Sequence, residues 1–81
     1  MNLHRFAPVT IRWSRGMQDV SDVERALQVM QGWVRDKGLT PEIAEAYPIC
    51  YGAIANPPTS TIEEARSAFI AAAKEAKLWR G

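Results

Sequence analysis

A single turn signal near the start of the chain separates two short segments with the character of β-strands. Val9–Trp13 alternates apolar and polar residues and is rich in β-formers, which predicts a half-buried strand. Gly16 tolerates positive φ, so Ser14-Arg15-Gly16 predicts a turn. Met17–Val20 is then expected to return as a second, short strand, which makes an antiparallel hairpin.

The charges and apolar residues of the two segments suggest a register for this hairpin. With Arg15-Gly16 as a two-residue loop, Arg12 faces Asp19 and Ile11 faces Val20. That pairing sets charge against charge and apolar against apolar. A three-residue loop is the alternative and shifts the pairing by one residue.

The rest of the chain follows helical spacing, and capping residues and helix breakers divide it into three. Roughly, the helices are expected over 21–37, 41–55 and 61–78. Ser21 with Glu24 fits a capping box at the first start, and Gly38 ends that helix. Thr40 and Pro41 begin the second helix.

The end of the second helix and the start of the third are marked by further signals. Asn56-Pro57-Pro58 ends the second helix, and Pro48 is expected to bend or split it, because its ring nitrogen cannot donate to the carbonyl of Ala44. Two residue pairs fit a capping box here, Ser60 with Glu63 and Thr61 with Glu64. The N-cap of the third helix is therefore either Ser60 or Thr61.

These patterns predict one α+β domain over residues 1–81, a short antiparallel β-hairpin followed by three packed amphipathic α-helices. The predicted core is Val9, Ile11, Leu27, Met30, Val34, Ile43, Tyr47, Cys50, Ile54, Ile62, Phe69 and Ala73. A chain of 81 residues buries only about 60–65% of the surface that its unfolded form exposes, so its stability is expected to be marginal. Pairing with a second copy is a common way for such a chain to gain stability.

Charge and cysteine content limit the partners and the compartment. Ten Lys and Arg against nine Asp and Glu leave a net charge of +1, which gives no long-range attraction to nucleic acid or acidic membranes. One cysteine excludes a disulfide within the chain, and there is no apolar run of membrane-spanning length and no signal-peptide core. We expect a cytoplasmic protein without a membrane partner.

Several segments together resemble a small bacterial family known only as a domain of unknown function, number nine-eight-two. They are the Phe6-Ala7-Pro8-Val9 opening, Gly16, Trp33 on its helix, Ala46 with Cys50, and the distinctive run Glu64-Ala65-Arg66-Ser67-Ala68-Phe69-Ile70-Ala71-Ala72-Ala73-Lys74-Glu75-Ala76. Pro48 and Asn56-Pro57-Pro58-Thr59 depart from the family pattern. The resemblance implies a compact fold of a hairpin and helices, and it implies no activity and no catalytic residue.

The predicted partner surface consists of Trp13, Met17, Val29 and Trp33, since aromatic residues and Met are enriched in interface cores. The alternative for the tryptophans is ordinary core. Arg66 borders apolar positions on the third helix. It is expected to hold a loop carbonyl or a carboxylate, and the alternative is an arginine that binds an anion at an interface.

Other polar residues have structural explanations. Cys50 lies on an apolar stripe and is expected to be buried and inert, and the lone His4 cannot build a metal site. Glu63 and Glu64 open a helix, where carboxylates favour the dipole rather than acid–base chemistry.

Three classes of function follow from these observations. We expect an interaction module that self-associates, most plainly a homodimer, with another protein partner as an alternative. A nucleic-acid-binding or small-ligand-binding accessory domain is the second class, although Glu63-Glu64 would repel phosphates at the start of a recognition helix. An enzyme is the least supported class, because the sequence has no catalytic constellation, and no cofactor or metal is expected.

Overall fold

The computed structural model describes residues 4–13 and 16–77. A two-stranded antiparallel hairpin precedes three helices, which confirms the predicted α+β architecture. The elements are β1 (Arg5–Trp13), β2 (Gly16–Asp22), α1 (Val23–Lys37), α2 (Pro41–Ile54) and α3 (Ile62–Glu75). None of the helices in this described part has the length and apolar character needed to cross a membrane.

The hairpin register is displaced by two residues from the predicted one. Asp19 pairs with Thr10 rather than Arg12, and its carboxylate accepts a hydrogen bond from Thr10 Oγ1 at 2.8 Å. Since side chains alternate with a period of two, this displacement leaves every side chain on its predicted face. The observed pairs next to this one are Val9 with Val20 and Ile11 with Gln18, and three of those four side chains are fully buried. Gly16, which was predicted to lie in the loop, instead begins β2 and pairs with Trp13, with a φ of 126°. The other proposed turn residues, Ser14 and Arg15, lie outside the described part of the chain.

The first helix is capped by Asp22 rather than by Ser21. The Asp22 carboxylate accepts a hydrogen bond from the backbone N–H of Arg25 at 2.6 Å. Strand pairing continues as far as Asp22, which faces Arg5, so the helix begins only at Val23 and its N-cap is Asp22, one residue after Ser21. The prediction of a Ser21 capping box is therefore wrong, because long-range strand pairing overrides a local signal.

The third helix ends at Glu75 rather than near residue 78, since Ala76 is its C-cap and Lys77 has a φ of 62°. The remaining helix boundaries agree with the sequence signals. Gly38 follows α1 with a φ of 92°, a value that favours glycine. Thr40 caps α2 through a bond from Ile43 N at 3.2 Å. At α3 the second alternative holds, because Thr61 and Glu64 form a reciprocal capping box with bonds of 2.8 and 3.0 Å.

Pro48 does not split α2, which runs unbroken from Pro41 to Ile54. The predicted break is wrong, and a bend stays a prediction. Pro48 and Ala44 are both exposed, so water can satisfy the carbonyl of Ala44 that the proline leaves without a donor. The opposite face of α2 is buried and holds the helix in place.

The core lies between the hairpin and the three helices and extends beyond the predicted list. Eight predicted core residues are buried, namely Val9, Ile11, Leu27, Met30, Ile43, Cys50, Phe69 and Ala73. Four are only partly buried against it, namely Val34, Tyr47, Ile54 and Ile62. The core also contains Phe6, Val20, Val23, Ala26, Val29, Trp33, Ala46, Ala53, Ala65 and Ala72. The additional residues show that α1 and α3 are each covered over a wider arc than one stripe provides.

Candidate functional site

Two members of the predicted partner surface are in the core instead. Val29 is 2% exposed and Trp33 is 0% exposed. The Trp33 ring stacks on Phe69 with centroids 5.5 Å apart and planes at 10°. Because α1 packs against β2, α2 and α3, its buried arc includes these two residues. Their assignment to an exposed partner surface is wrong, and the core interpretation of Trp33 is confirmed.

Of the other two members, the structure describes the side chain of Met17 but not that of Trp13. Met17 is 58% exposed, so it remains available to a partner. Trp13 ends β1, and its side chain lies outside the described part of the chain. The predicted surface is therefore reduced to the tip of the hairpin.

Arg66 ties the third helix to the first strand. Its Nε donates a hydrogen bond to the carbonyl oxygen of Ala7 at 2.9 Å. Ala7 lies where the strand pairing is irregular, between Arg5 and Val9, so this carbonyl gains a partner from outside the hairpin. Arg66 thus has a structural contact, but the carbonyl that it holds belongs to β1 rather than to a loop. Anion binding by the same side chain stays a prediction.

Cys50 and His4 have partners that fit structural roles. Cys50 is 0% exposed, and its thiol faces the carbonyl oxygen of Ala65 at 3.9 Å. Burial raises the pKa of this thiol to about 11, so the reactive thiolate is disfavoured. His4 Nδ1 lies 2.6 Å from a carboxylate oxygen of Glu24. Among the described residues, no three His, Cys, Asp or Glu side chains are grouped so that they could hold a metal ion.

A groove between α2 and α3, here called the acidic groove, has a volume of about 460 Å³. Its floor is apolar and consists of Ala46, Ile49, Ala68 and Ala71. Glu42, Glu45, Glu63 and Glu64 also line it, together with Ser67, and no Lys or Arg does. The acidic groove thus combines apolar contact surface with four carboxylates of one sign.

The chain places these carboxylates for local reasons as well. Glu42 lies in the first turn of α2, and Glu63 and Glu64 lie in the first turn of α3, where acids favour the helix dipole. Glu64 also closes the capping box, which confirms its structural role. Glu45 has no such role, and its position three residues after Glu42 puts both on one face of α2.

A second concavity, here called the polar pocket, lies between β2 and α1 and has a volume of about 280 Å³. Arg25, Gln28, Gln31 and Arg35 line it from α1, and Gln18 lines it from β2. Val29 and Gly32 complete the lining. Gln18 Oε1 is buried and has no hydrogen-bond partner among the described residues.

Sequence reasoning missed both concavities. The spacing of Glu42 and Glu45 beside Ala46 was a usable signal for the acidic groove, since it places carboxylates next to a small apolar residue on one helix face. The polar pocket gave no such signal, because Gln18 meets α1 only through the observed register and packing.

Comparison with known proteins identifies a family and nothing further. A family model described as Protein of unknown function (DUF982) matches residues 7–79. No curated protein matches the chain. No solved structure matches it either.

Proposed function

The chain belongs to the DUF982 family, and we propose that it is a small protein-interaction module whose acidic groove binds a basic segment of a partner protein. The observation that carries this proposal is the union of an apolar floor with four glutamates in the acidic groove. Apolar contact supplies affinity in such docking sites, and charge supplies orientation and choice of partner.

The chemistry of the acidic groove favours one kind of occupant. Small floor residues such as Ala68 and Ala71 allow the backbone of a partner segment to approach closely, and Ile49 offers an apolar contact. A helix lying between α2 and α3 would place apolar side chains on this floor and Lys or Arg beside the glutamates. We therefore expect an amphipathic, basic segment as the partner.

The same charges argue against other classes of function. Nucleic acid would meet four carboxylates in the acidic groove, and phosphates are repelled by them. An enzymatic role is not part of the proposal, because Cys50 is buried with a raised pKa and His4 is engaged by Glu24.

We further propose that the module self-associates through the hairpin. Two strands make up the described sheet, and sheets this small are marginally stable in water when they stand alone. Met17, at 58% exposure, is one of three large apolar side chains that remain open to solvent in the described chain. A second copy at the hairpin would cover it, whereas pairing of two acidic grooves would bring like charges together.

Binding of a synthetic peptide tests the acidic groove directly. The probe is a fluorescein-labelled amphipathic helix of Leu and Lys, followed by fluorescence anisotropy at low salt and at physiological salt. A variant with Glu45→Gln and Glu63→Gln removes two carboxylates and leaves the capping Glu64 intact. We expect its Kd to rise by about tenfold or more, a change that corresponds to about 1.4 kcal/mol of binding free energy.

Matched controls separate specific docking from general charge attraction. Glu75→Gln removes an exposed carboxylate of α3 that does not line the acidic groove, and we expect an unchanged Kd. A peptide of the same composition with a scrambled, non-amphipathic order should bind more weakly. Equal affinity for the unaltered protein and the double variant would overturn the proposal, and so would binding of random duplex DNA in preference to the peptide.

A further inference from the structure

We infer that the segment bound by the acidic groove is a helix with one basic residue at each end of an apolar stripe that is two turns long. This inference rests on the proposed docking of a basic segment and adds the spacing of its charges. It follows from the directions in which α2 and α3 run along the groove and from where each helix places its carboxylates.

The helices α2 and α3 run antiparallel. Residues 55–61 connect them and fold back, so that Thr59 N donates to the carbonyl oxygen of Gly52 at 3.0 Å. One step further from this connection, the thiol of Cys50 faces the carbonyl oxygen of Ala65. A step backward along α2 therefore corresponds to a step forward along α3, which is the antiparallel arrangement.

This arrangement places the four carboxylates at opposite ends of the acidic groove. Glu42 and Glu45 lie toward the start of α2 and are here called the first acidic end. Glu63 and Glu64 lie in the first turn of α3 and are here called the second acidic end. Because the two helices run in opposite directions, their starts lie at opposite ends of the pair, and the two acidic ends are separated along the groove.

The separation of the acidic ends is about two helical turns. Glu45 precedes Cys50 by five residues on α2, and Glu63 precedes Ala65 by two residues on α3. Cys50 and Ala65 lie side by side, so with a rise of about 1.5 Å per residue the axial distance from Glu45 to Glu63 is roughly 10 Å. A bound helix covers the same distance between its residues i and i+7.

The lining of the groove has the periodicity of helix packing. The lining residues of α2 are Glu42, Glu45, Ala46 and Ile49, and those of α3, apart from Glu63, are Glu64, Ser67, Ala68 and Ala71. Both sets follow the spacing i, i+3, i+4 and i+7, and rows of this kind border a groove that accepts the side chains of another helix. Apolar side chains at i+3 and i+4 of the bound helix would contact Ala46, Ile49 and Ala68, between its two cations.

The carboxylates at both acidic ends are open to a partner's cations. Glu45 and Glu63 are exposed, and neither forms a salt bridge within the described part of the chain. A partner with a cation at one end only would cover the other acidic end without a counter-charge, and loss of hydration there opposes binding. Charge complementarity therefore favours a cation at each end over a cluster at one end.

Four helical peptides labelled with fluorescein test the spacing. The first carries Lys at i and i+7 and Leu at i+3 and i+4, and two others replace either the first or the second Lys by Gln. The fourth has the composition of the first and carries both Lys residues at one end of the Leu pair. Fluorescence anisotropy with the full chain, Glu45→Gln and Glu63→Gln gives a double-mutant cycle for each Lys with each acidic end.

We expect the first peptide to bind more tightly than the fourth. Each of Glu45→Gln and Glu63→Gln should raise the Kd of the first peptide by about threefold, which is typical of an exposed ion pair. Each peptide with one Lys should lose its response to one of these variants and keep its response to the other, and the pairs that respond give the direction of the bound helix. Glu75→Gln lies outside the lining and should change no Kd.

The contrary outcomes distinguish this inference from the proposed function. Equal affinity of the first and fourth peptides, equal coupling of each Lys to Glu45 and Glu63, or unchanged affinity when a Pro at i+5 breaks the peptide helix would overturn the inference. The docking of a basic segment would survive these three results. Absence of saturable binding by all four peptides would overturn the proposed function and this inference together.

Discussion

At the scale of single residues, Cys50 illustrates how burial decides chemistry. The thiol has no exposed surface and faces a backbone carbonyl of α3, so it packs as a small apolar side chain. Desolvation is the cause of its raised pKa, because the thiolate would lose its hydration in the core. A group of this kind makes stability depend on pH.

The protein is expected to lose stability as pH rises from about 9 to about 11. The unfolded chain releases the thiol proton near its ordinary pKa of 9.0, whereas the native protein holds the proton up to a pKa of about 11. Unfolding therefore releases a proton in this window, and the free energy of unfolding falls as pH rises. Urea denaturation at closely spaced pH values measures the slope.

Two variants isolate the contribution of Cys50 to this slope. Cys50→Ala should flatten the fall between pH 9 and pH 11, although the cavity lowers stability at every pH. Burial and the neighbouring Tyr51 also raise the pKa of Tyr47, so Tyr47→Phe removes a second contribution of the same sign. An unchanged slope in Cys50→Ala would contradict the assignment.

Arg66 gives a second prediction at this scale. Arg66→Lys should lower the free energy of unfolding by about 1 kcal/mol, because lysine has no Nε–H fixed at the position that donates to Ala7. The loss is modest since Ala7 is exposed and water can replace the donor. Thermal and urea unfolding measure it. Arg12→Lys, on an exposed side chain, is the matched control, and equal effects of the two changes would count against a specific tie between α3 and β1.

At the scale of elements, the connection between α2 and α3 is held by short polar contacts. Thr59 N donates to the carbonyl oxygen of Gly52 at 3.0 Å, and the hydroxyl of Ser60 donates to the carbonyl oxygen of Ile49. The buried Gly52 admits these groups, because a Cβ there would lie 2.7 Å from Ser60 Oγ and even closer to Thr59 Oγ1. The close approach of this connection to α2 therefore depends on the absence of a side chain at Gly52.

Gly52→Ala is expected to destabilise the protein. In an open helix position the same change would stabilise by about 1 kcal/mol through helix propensity. Here the new methyl group must displace the hydroxyl groups of Thr59 and Ser60. Urea denaturation of Gly52→Ala, Ser60→Ala and the double variant measures the coupling, and the double variant should lose less than the sum of the two single changes. A stabilising Gly52→Ala would refute this account.

At the scale of the whole molecule, charge and apolar exposure are separated in space. Four carboxylates line the acidic groove, two arginines line the polar pocket, and Met17 is exposed at the tip of the hairpin. The net charge is only +1, although the acidic groove and the polar pocket carry charges of opposite sign.

Self-association through the hairpin predicts a dimer of twice the 9.0 kDa mass of one chain. A lasting dimer should bury about 1,200 Å² or more in total. Static light scattering at micromolar concentration measures the mass, and Met17→Glu should shift it toward the monomer because a charge replaces an apolar contact. Leu39→Glu alters another exposed apolar residue away from the hairpin and serves as the control. A monomer mass for the unaltered chain at these concentrations would refute the proposal.

The sequence alone determined the features that depend on neighbours three or four residues apart. The capping roles of Thr40, Thr61 and Gly38 and the three helical stripes follow from such local contacts, and all are present in the structure. Alternation with a period of two likewise predicted which hairpin side chains face inward. That prediction holds although the register is displaced, because the displacement is two residues.

Only the tertiary structure decided the features that depend on packing between elements. Asp22 replaces Ser21 as a cap because strand pairing reaches it, and Val29 and Trp33 are buried because α1 is covered on several sides. The acidic groove requires α2 and α3 to lie side by side, and the polar pocket requires Gln18 to meet α1. Periodicity records that a helix has a buried face, but the width of that face is set by how many neighbouring elements cover it, which no local pattern encodes.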